Sequence, residues 1–125
     1  MSAVDPLPAE SGERGKVPGA VVSLTRDGRY ASNQRIDLND DAAYLSLDRS
    51  GLFLFSVSYG NGRLNVHRLS DDGLPGKAVA TIDEGRKEAH CVLISPDNKF
   101  LYIPYVKNNL ALFQYRFDAS SGSVT

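Results

Sequence analysis

A block of sequence occurs twice in this chain. LSLDRSGLFLFSVSYGNGRLNVHRL starts at Leu45, and LISPDNKFLYIPYVKNNLALFQY starts at Leu93. In each copy a short apolar segment leads through a polar turn to an apolar strand, then through a second turn to an alternating strand. Matched by hydrophobicity, Leu52 falls on Phe100 and Phe55 on Ile103, an offset of 48. The offset shrinks to 46 at Arg63 and Asn109, as if the second copy lacked two loop residues. Units of this size that hold several short strands are propeller blades or members of a similar array. A single unit cannot bury both of its faces, so two copies imply a part of something larger.

The strands can be placed from turn chemistry and periodicity. Val21 to Leu24 and Tyr30 to Leu38 flank Arg26-Asp27-Gly28 and read as a hairpin. Leu52 to Ser58 is a continuous apolar run, as a strand covered on both faces requires, and Arg63 to Leu69 alternates like a half-covered outer strand. Lys77 to Ile82 supplies a fourth strand after Asp71-Asp72-Gly73, and Ala43 to Leu47 a first. The second unit offers Cys91 to Ile94, Phe100 to Tyr105 and Asn109 to Phe117, then a turn at Ser120-Ser121-Gly122-Ser123.

The predicted fold is therefore all-β: antiparallel four-stranded propeller blades forming an incomplete arc. Its parts are an outer hairpin (20–38), a complete blade (42–82) and an incomplete blade (89–125). Residues 1–17 carry Pro, Gly, Ser and charges without periodicity and are expected to form a flexible arm. An open arc exposes blade faces, and a few hundred Å² of uncovered apolar surface forfeits on the order of 10 kcal/mol. Self-association through those faces is the expected consequence.

Composition excludes several classes. With 14 Lys+Arg against 15 Asp+Glu, and no basic stretch interleaved with aromatics, nucleic acid is not an expected partner. No apolar run reaches the roughly 18 residues of a membrane span, so no membrane partner is expected either. The single cysteine, Cys91, rules out an internal disulfide and favours the cytosol; it reads as a buried structural thiol. No phosphate-binding glycine loop, metal-ligand spacing or nucleophile triad is present, so no cofactor and no metal are expected.

Antiparallel connectivity gathers the start of each first strand and the end of each second strand on one rim, the mouth of the channel in a closed ring. His90 directly precedes an innermost strand there and is the candidate catalytic residue, able to act as a base near neutral pH. Lys107 and Tyr105 end the neighbouring strand, and Tyr59 and Asn61 hold the matching places one unit earlier; these four are the candidate substrate-binding residues. His67 lies on a third strand, away from the axis. Asp83 to Glu88, with mixed charges, reads as a solvated connection between blades.

AHCVLISPDNKFLYIPYVKNNLALFQY, preceded by SYGNGRLNVHRLSDDGLP, resembles the lactonase family of seven-bladed β-propellers, the bacterial 6-phosphogluconolactonases in particular. The shared features are a histidine a few residues ahead of Ser95-Pro96-Asp97, the Ile103-Pro104 pair, and Asp72-Gly73-Leu74-Pro75. The likeness spans about Val21 to Thr125. It implies hydrolysis of a small-molecule sugar-phosphate lactone, 6-phosphogluconolactone to 6-phosphogluconate in the pentose phosphate pathway, by a complete ring. The arc alone is expected to be inactive. Muconate-lactonising cycloisomerases share the fold and use a histidine in the His90 position. A non-catalytic segment for binding or self-assembly is the reading from outside enzymes. The chain departs from the family at Tyr105, where many members carry an aspartate.

Overall fold

The computed structural model describes residues 18–125; the predicted arm over 1–17 lies outside the described residues. Three antiparallel sheets follow one another along the chain. β1 (Pro18–Leu24) and β2 (Tyr30–Asp37) form a hairpin. β3 (Ala42–Leu47), β4 (Phe53–Ser58), β5 (Leu64–Leu69) and β6 (Pro75–Ile82) make a four-stranded sheet in sequential order. β7 (Leu93–Ile94), β8 (Phe100–Tyr105) and β9 (Ala111–Arg116) make a three-stranded one. A 3₁₀ turn, Lys107–Asn109, joins the last two strands. Past β9, Phe117 bridges Val124, and Arg116 and Thr125 exchange backbone hydrogen bonds of 2.7 and 3.0 Å.

One core holds the second and third sheets face to face. Phe53, Phe55 and Val57 of β4 and Leu64 and Val66 of β5 are buried from one side. Val92, Ile94, Leu101, Ile103, Tyr105, Tyr115 and Phe117 close on them from the other. Phe117 meets Phe53 and Phe55 edge-on, with centroids 5.6 and 5.0 Å away. Sheets stacked face to face with sequential antiparallel strands match the arrangement expected of propeller blades.

At the rim away from the candidate site, polar groups join the two blades. Asn98 Nδ2 donates to Asp48 at 2.9 Å, while its own Oδ1 accepts from the Arg49 amide at 2.8 Å. The Arg49 guanidinium donates to the Ile94 and Ser95 carbonyls. Asp48 also accepts from the amides of Leu52 and Phe53. Burial opposes its ionisation, yet these bonds and those from Ser50 hold its carboxyl below the ordinary value.

The register corrects the repeat alignment read from hydrophobicity. Asp48 N–H donates to the Phe53 carbonyl just as Ser95 N–H donates to that of Phe100, so Phe53 corresponds to Phe100 at an offset of 47. Across the next pairing, Phe53–Arg68 matches Phe100–Arg116, and each arginine lies over its phenylalanine, at 5.4 and 5.8 Å. That second offset is 48, so the later copy has a turn one residue longer, not two residues shorter. Phe53 is covered by the turn at Gly122, where an added Cβ would lie 2.5 Å from the ring. On the outward face of the third sheet, Leu93, Leu110 and Leu112 are exposed beside half-buried Phe100 and Tyr102.

Candidate functional site

The rim that includes His90 is built where β3 meets the end of β4, and again where the start of the third sheet meets the end of β8. In both sheets the inner strand carries one extra residue at this point. Ala42 pairs with Ser58 but Tyr44 with Val57, and Ala89 bridges Tyr105 while Leu93 pairs with Tyr102. A bulge re-aims the side chains beside it and is common next to functional sites. It also explains why the predicted innermost strand from Cys91 is regular only over Leu93–Ile94. His90 sits in this irregular stretch and is exposed, its amide donating to the Pro104 carbonyl at 3.0 Å. The matching position of the earlier blade is Ala43, so of these two blades only the later presents an imidazole here.

Lys107 and Tyr59, separated by one blade in sequence, come together. The Lys107 ammonium lies 5.3 Å from the centre of the Tyr59 ring. Hydrogen bonding to the Tyr59 hydroxyl, with the Glu88 carboxylate adding to it, holds Lys107 above the ordinary lysine value. It is therefore a cation throughout the neutral range, exposed on the rim and aligned by an aromatic face.

The other two substrate-binding candidates are engaged within the protein. Asn61 Nδ2 donates to Asp40 at 2.6 Å, and its Oδ1 accepts from the Arg63 amide at 3.0 Å. Asp40 also accepts from Asn65 and pairs with Arg63 at 3.4 Å. Tyr105 is buried, and its hydroxyl donates to the Gly62 carbonyl at 3.1 Å. Burial pushes that phenol above its usual value, so it remains a neutral donor. Tyr105 thus supports the rim from below rather than presenting its hydroxyl on it.

Asp83 to Glu88 is the largely exposed connection expected of it, but several of its side chains also find partners on the blades. Arg63 pairs with Asp83 at 3.0 Å, Tyr115 donates to Glu84 at 3.1 Å, and Arg86 lies 5.4 Å over Phe113. Glu88 reaches furthest into the site. Its amide donates to the Tyr59 carbonyl at 2.7 Å and its carbonyl accepts from Val106 at 3.0 Å, while its carboxylate accepts from Asn109 at 3.1 Å. Mixed charge in a linker gave no sign of this, because every partner is remote in sequence.

His67 is fully buried on β5, with Nδ1 2.8 Å from the Gly76 carbonyl. A carbonyl only accepts, so Nδ1 carries the proton. Cys91 is half-buried rather than buried as expected, and burial raises its thiol above the ordinary value. Among the described residues no group of three or more His, Cys, Asp or Glu is gathered as a metal would need, and no helix is long and apolar enough to cross a membrane.

A four-stranded blade stacked on a three-stranded one, with a polar rim at the inner strands, defines an arc of a β-propeller. The model of the family described as Lactonase, 7-bladed beta-propeller matches residues 9–125, and the chain belongs to that family. It is 41% identical over 83 residues to a 6-phosphogluconolactonase of Cronobacter sakazakii, an alignment covering 66% of this chain and 24% of the relative. A 6-phosphogluconolactonase of Klebsiella pneumoniae is 44% identical over 66 residues, covering 53% of this chain and 19% of the relative. The matched stretch is thus about a quarter or less of the length of such relatives. In solved structures the fold is similar to that of a periplasmic gluconolactonase from Pseudomonas aeruginosa. That match has a TM-score of 0.55 and 22% identity, over 80% of this chain and 36% of the other.

Proposed function

We propose that this chain supplies the His90 rim of a lactone hydrolase that converts 6-phosphogluconolactone to 6-phosphogluconate in the cytosol. In this reading His90 takes a proton from water as the water oxygen bonds to the lactone carbonyl carbon. The ring C–O bond then breaks, the released ring oxygen takes a proton, and the product acid ionises. Lys107, aligned by Tyr59, contacts the phosphate as a point charge. Asn61 and Tyr105 both brace the turn that carries Tyr59. The single observation behind the proposal is that an exposed histidine and an exposed, aromatic-aligned lysine lie on the same rim of the blades of a chain in the lactonase family.

The remaining catalytic groups would come from other blades. Phe100 and Arg116 repeat Phe53 and Arg68, and Phe53 is already covered by a neighbouring blade's turn. The outward face of the third sheet is accordingly proposed to receive an equivalent blade. The experiment is a chimera in which residues 42–125 replace the matching blades of the Cronobacter enzyme. The chimera should hydrolyse 6-phosphogluconolactone, and His90→Gln within it should lower kcat/KM by about 10²-fold or more. Full turnover by the His90→Gln chimera would remove His90 from the mechanism.

A further inference from the structure

Four non-glycine residues among those described have positive φ, and two of them, Glu88 at 69° and Lys107 at 52°, lie on this rim. The others are asparagines, which tolerate that region; a glutamate or a lysine does so at a cost, and such strain concentrates at functional sites. Glycine at position 88 would make the same two backbone hydrogen bonds without strain. What glycine lacks is the carboxylate that accepts from Asn109, and that contact spans the two edges of the rim.

We propose that Glu88 is a positioning residue for this site, acting through the Lys107–Asn109 turn and the strand start at His90 rather than on a ligand. Its backbone joins the turn after β4 to the turn after β8, two residues ahead of His90. Its carboxylate fixes the far end of the turn that carries Lys107. With Asn109 held, the Lys107 ammonium is kept over Tyr59. Released, the turn would swing the cation away while the blades stayed folded. The inference rests on the lactonase reading for the identity of the ligand, but not for the contact itself.

Three variants of the 125-residue chain separate this from a purely structural role. Glu88→Gly keeps the backbone geometry and removes the carboxylate. Glu88→Asn tolerates the same φ but is one methylene shorter and falls short of Asn109. Glu88→Gln retains an acceptor. The probe is 6-phosphogluconate, titrated while the amide signals of Tyr59, His90 and Lys107 are followed by NMR. Glu88→Gly and Glu88→Asn should be no less resistant to urea, yet bind the probe about fivefold more weakly, the size of one modest hydrogen bond. Glu88→Gln should bind at least as tightly as the parent. Parental affinity in both Glu88→Gly and Glu88→Asn would overturn the proposal.

Should the parent itself fail to bind the probe, affinity needs the other blades and the lactone reading is decided by the chimera. Glu88 is then judged on the Asn109 side-chain amide and on hydrogen exchange at Val106 and Asn109. Faster exchange in Glu88→Gly, with parental rates in Glu88→Gln, supports the role; unchanged exchange in both overturns it.

Discussion

Gly62→Ala tests the seam between the blades, and three glycines let its cost be resolved into parts. Gly62 has φ +75°, and a Cβ there would stand 1.6 Å from the Arg86 carbonyl oxygen and 2.7 Å from its carbon. Both are backbone atoms, so no rotamer change relieves the overlap. Gly51 has nearly the same φ, +73°, but nothing within 4 Å, and Gly60 has ordinary φ and nothing within 4 Å. Gly60→Ala should therefore be neutral, or stabilising by up to about 1 kcal/mol through the unfolded chain. Gly51→Ala isolates the left-handed penalty of about 1–2 kcal/mol.

Gly62→Ala adds about 1–3 kcal/mol for displacing the Arg86 backbone and about 1 kcal/mol for disturbing the Tyr105–Gly62 hydrogen bond. A total near 3–6 kcal/mol is a large part of the 5–15 kcal/mol that holds a typical domain. Urea unfolding followed by circular dichroism measures all three variants against the parent. If Gly62→Ala loses no more than Gly51→Ala, the close approach of the linker to the turn is wrong, and with it the account of how the rim is assembled.

Two further outcomes follow from the core and the opposite rim. Phe55→Ala, at a fully buried ring packed on Phe117, should cost about 3–5 kcal/mol in the same urea assay; a loss below 1 kcal/mol would mean that the blades are not packed on one another. Asp48 has a folded pKa below its ordinary 3.8, so its stabilisation is complete above that value and disappears as pH falls through the lower folded value. Asp48→Asn should cost about 2 kcal/mol at pH 7 and flatten the loss of stability below pH 4; an unchanged acid limb would contradict this.

Strand identity was legible because it is written in adjacent residues. Asp71-Asp72-Gly73 and Tyr59-Gly60-Asn61-Gly62 announce turns, and the apolar runs between them announce strands. The place of His90 ahead of an inner strand was legible for a related reason, since it follows from connectivity alone. What the residues concealed depends on non-local contact. Tyr105 ends a strand and so resembles a rim residue, but its ring points into the core and its hydroxyl answers a carbonyl from the preceding blade. Glu88 lies in a mixed-charge linker whose Coulombic appearance is that of solvent exposure, while its partners are Tyr59, Val106 and Asn109.

The misalignment of the repeat has a physical origin as well. Phe55 and Ile103 were matched because both are strongly apolar, and both are indeed fully buried. They are buried in the same seam from opposite sides, Phe55 on the forward face of its blade and Ile103 on the backward face of the next. In a strand a shift of one residue exchanges the two faces, so matching hydrophobicity across a single seam forces that slip. The register resolves it: Phe55 corresponds to Tyr102, which points outward and is half-buried. β8 alternates between half-buried and buried along its length, while five of the six residues of β4 are buried, as expected when one blade has cover on both faces and the other on one. The apolar pattern of a propeller blade therefore reports which neighbours it has, and two blades with different neighbours align by hydrophobicity only at the cost of orientation.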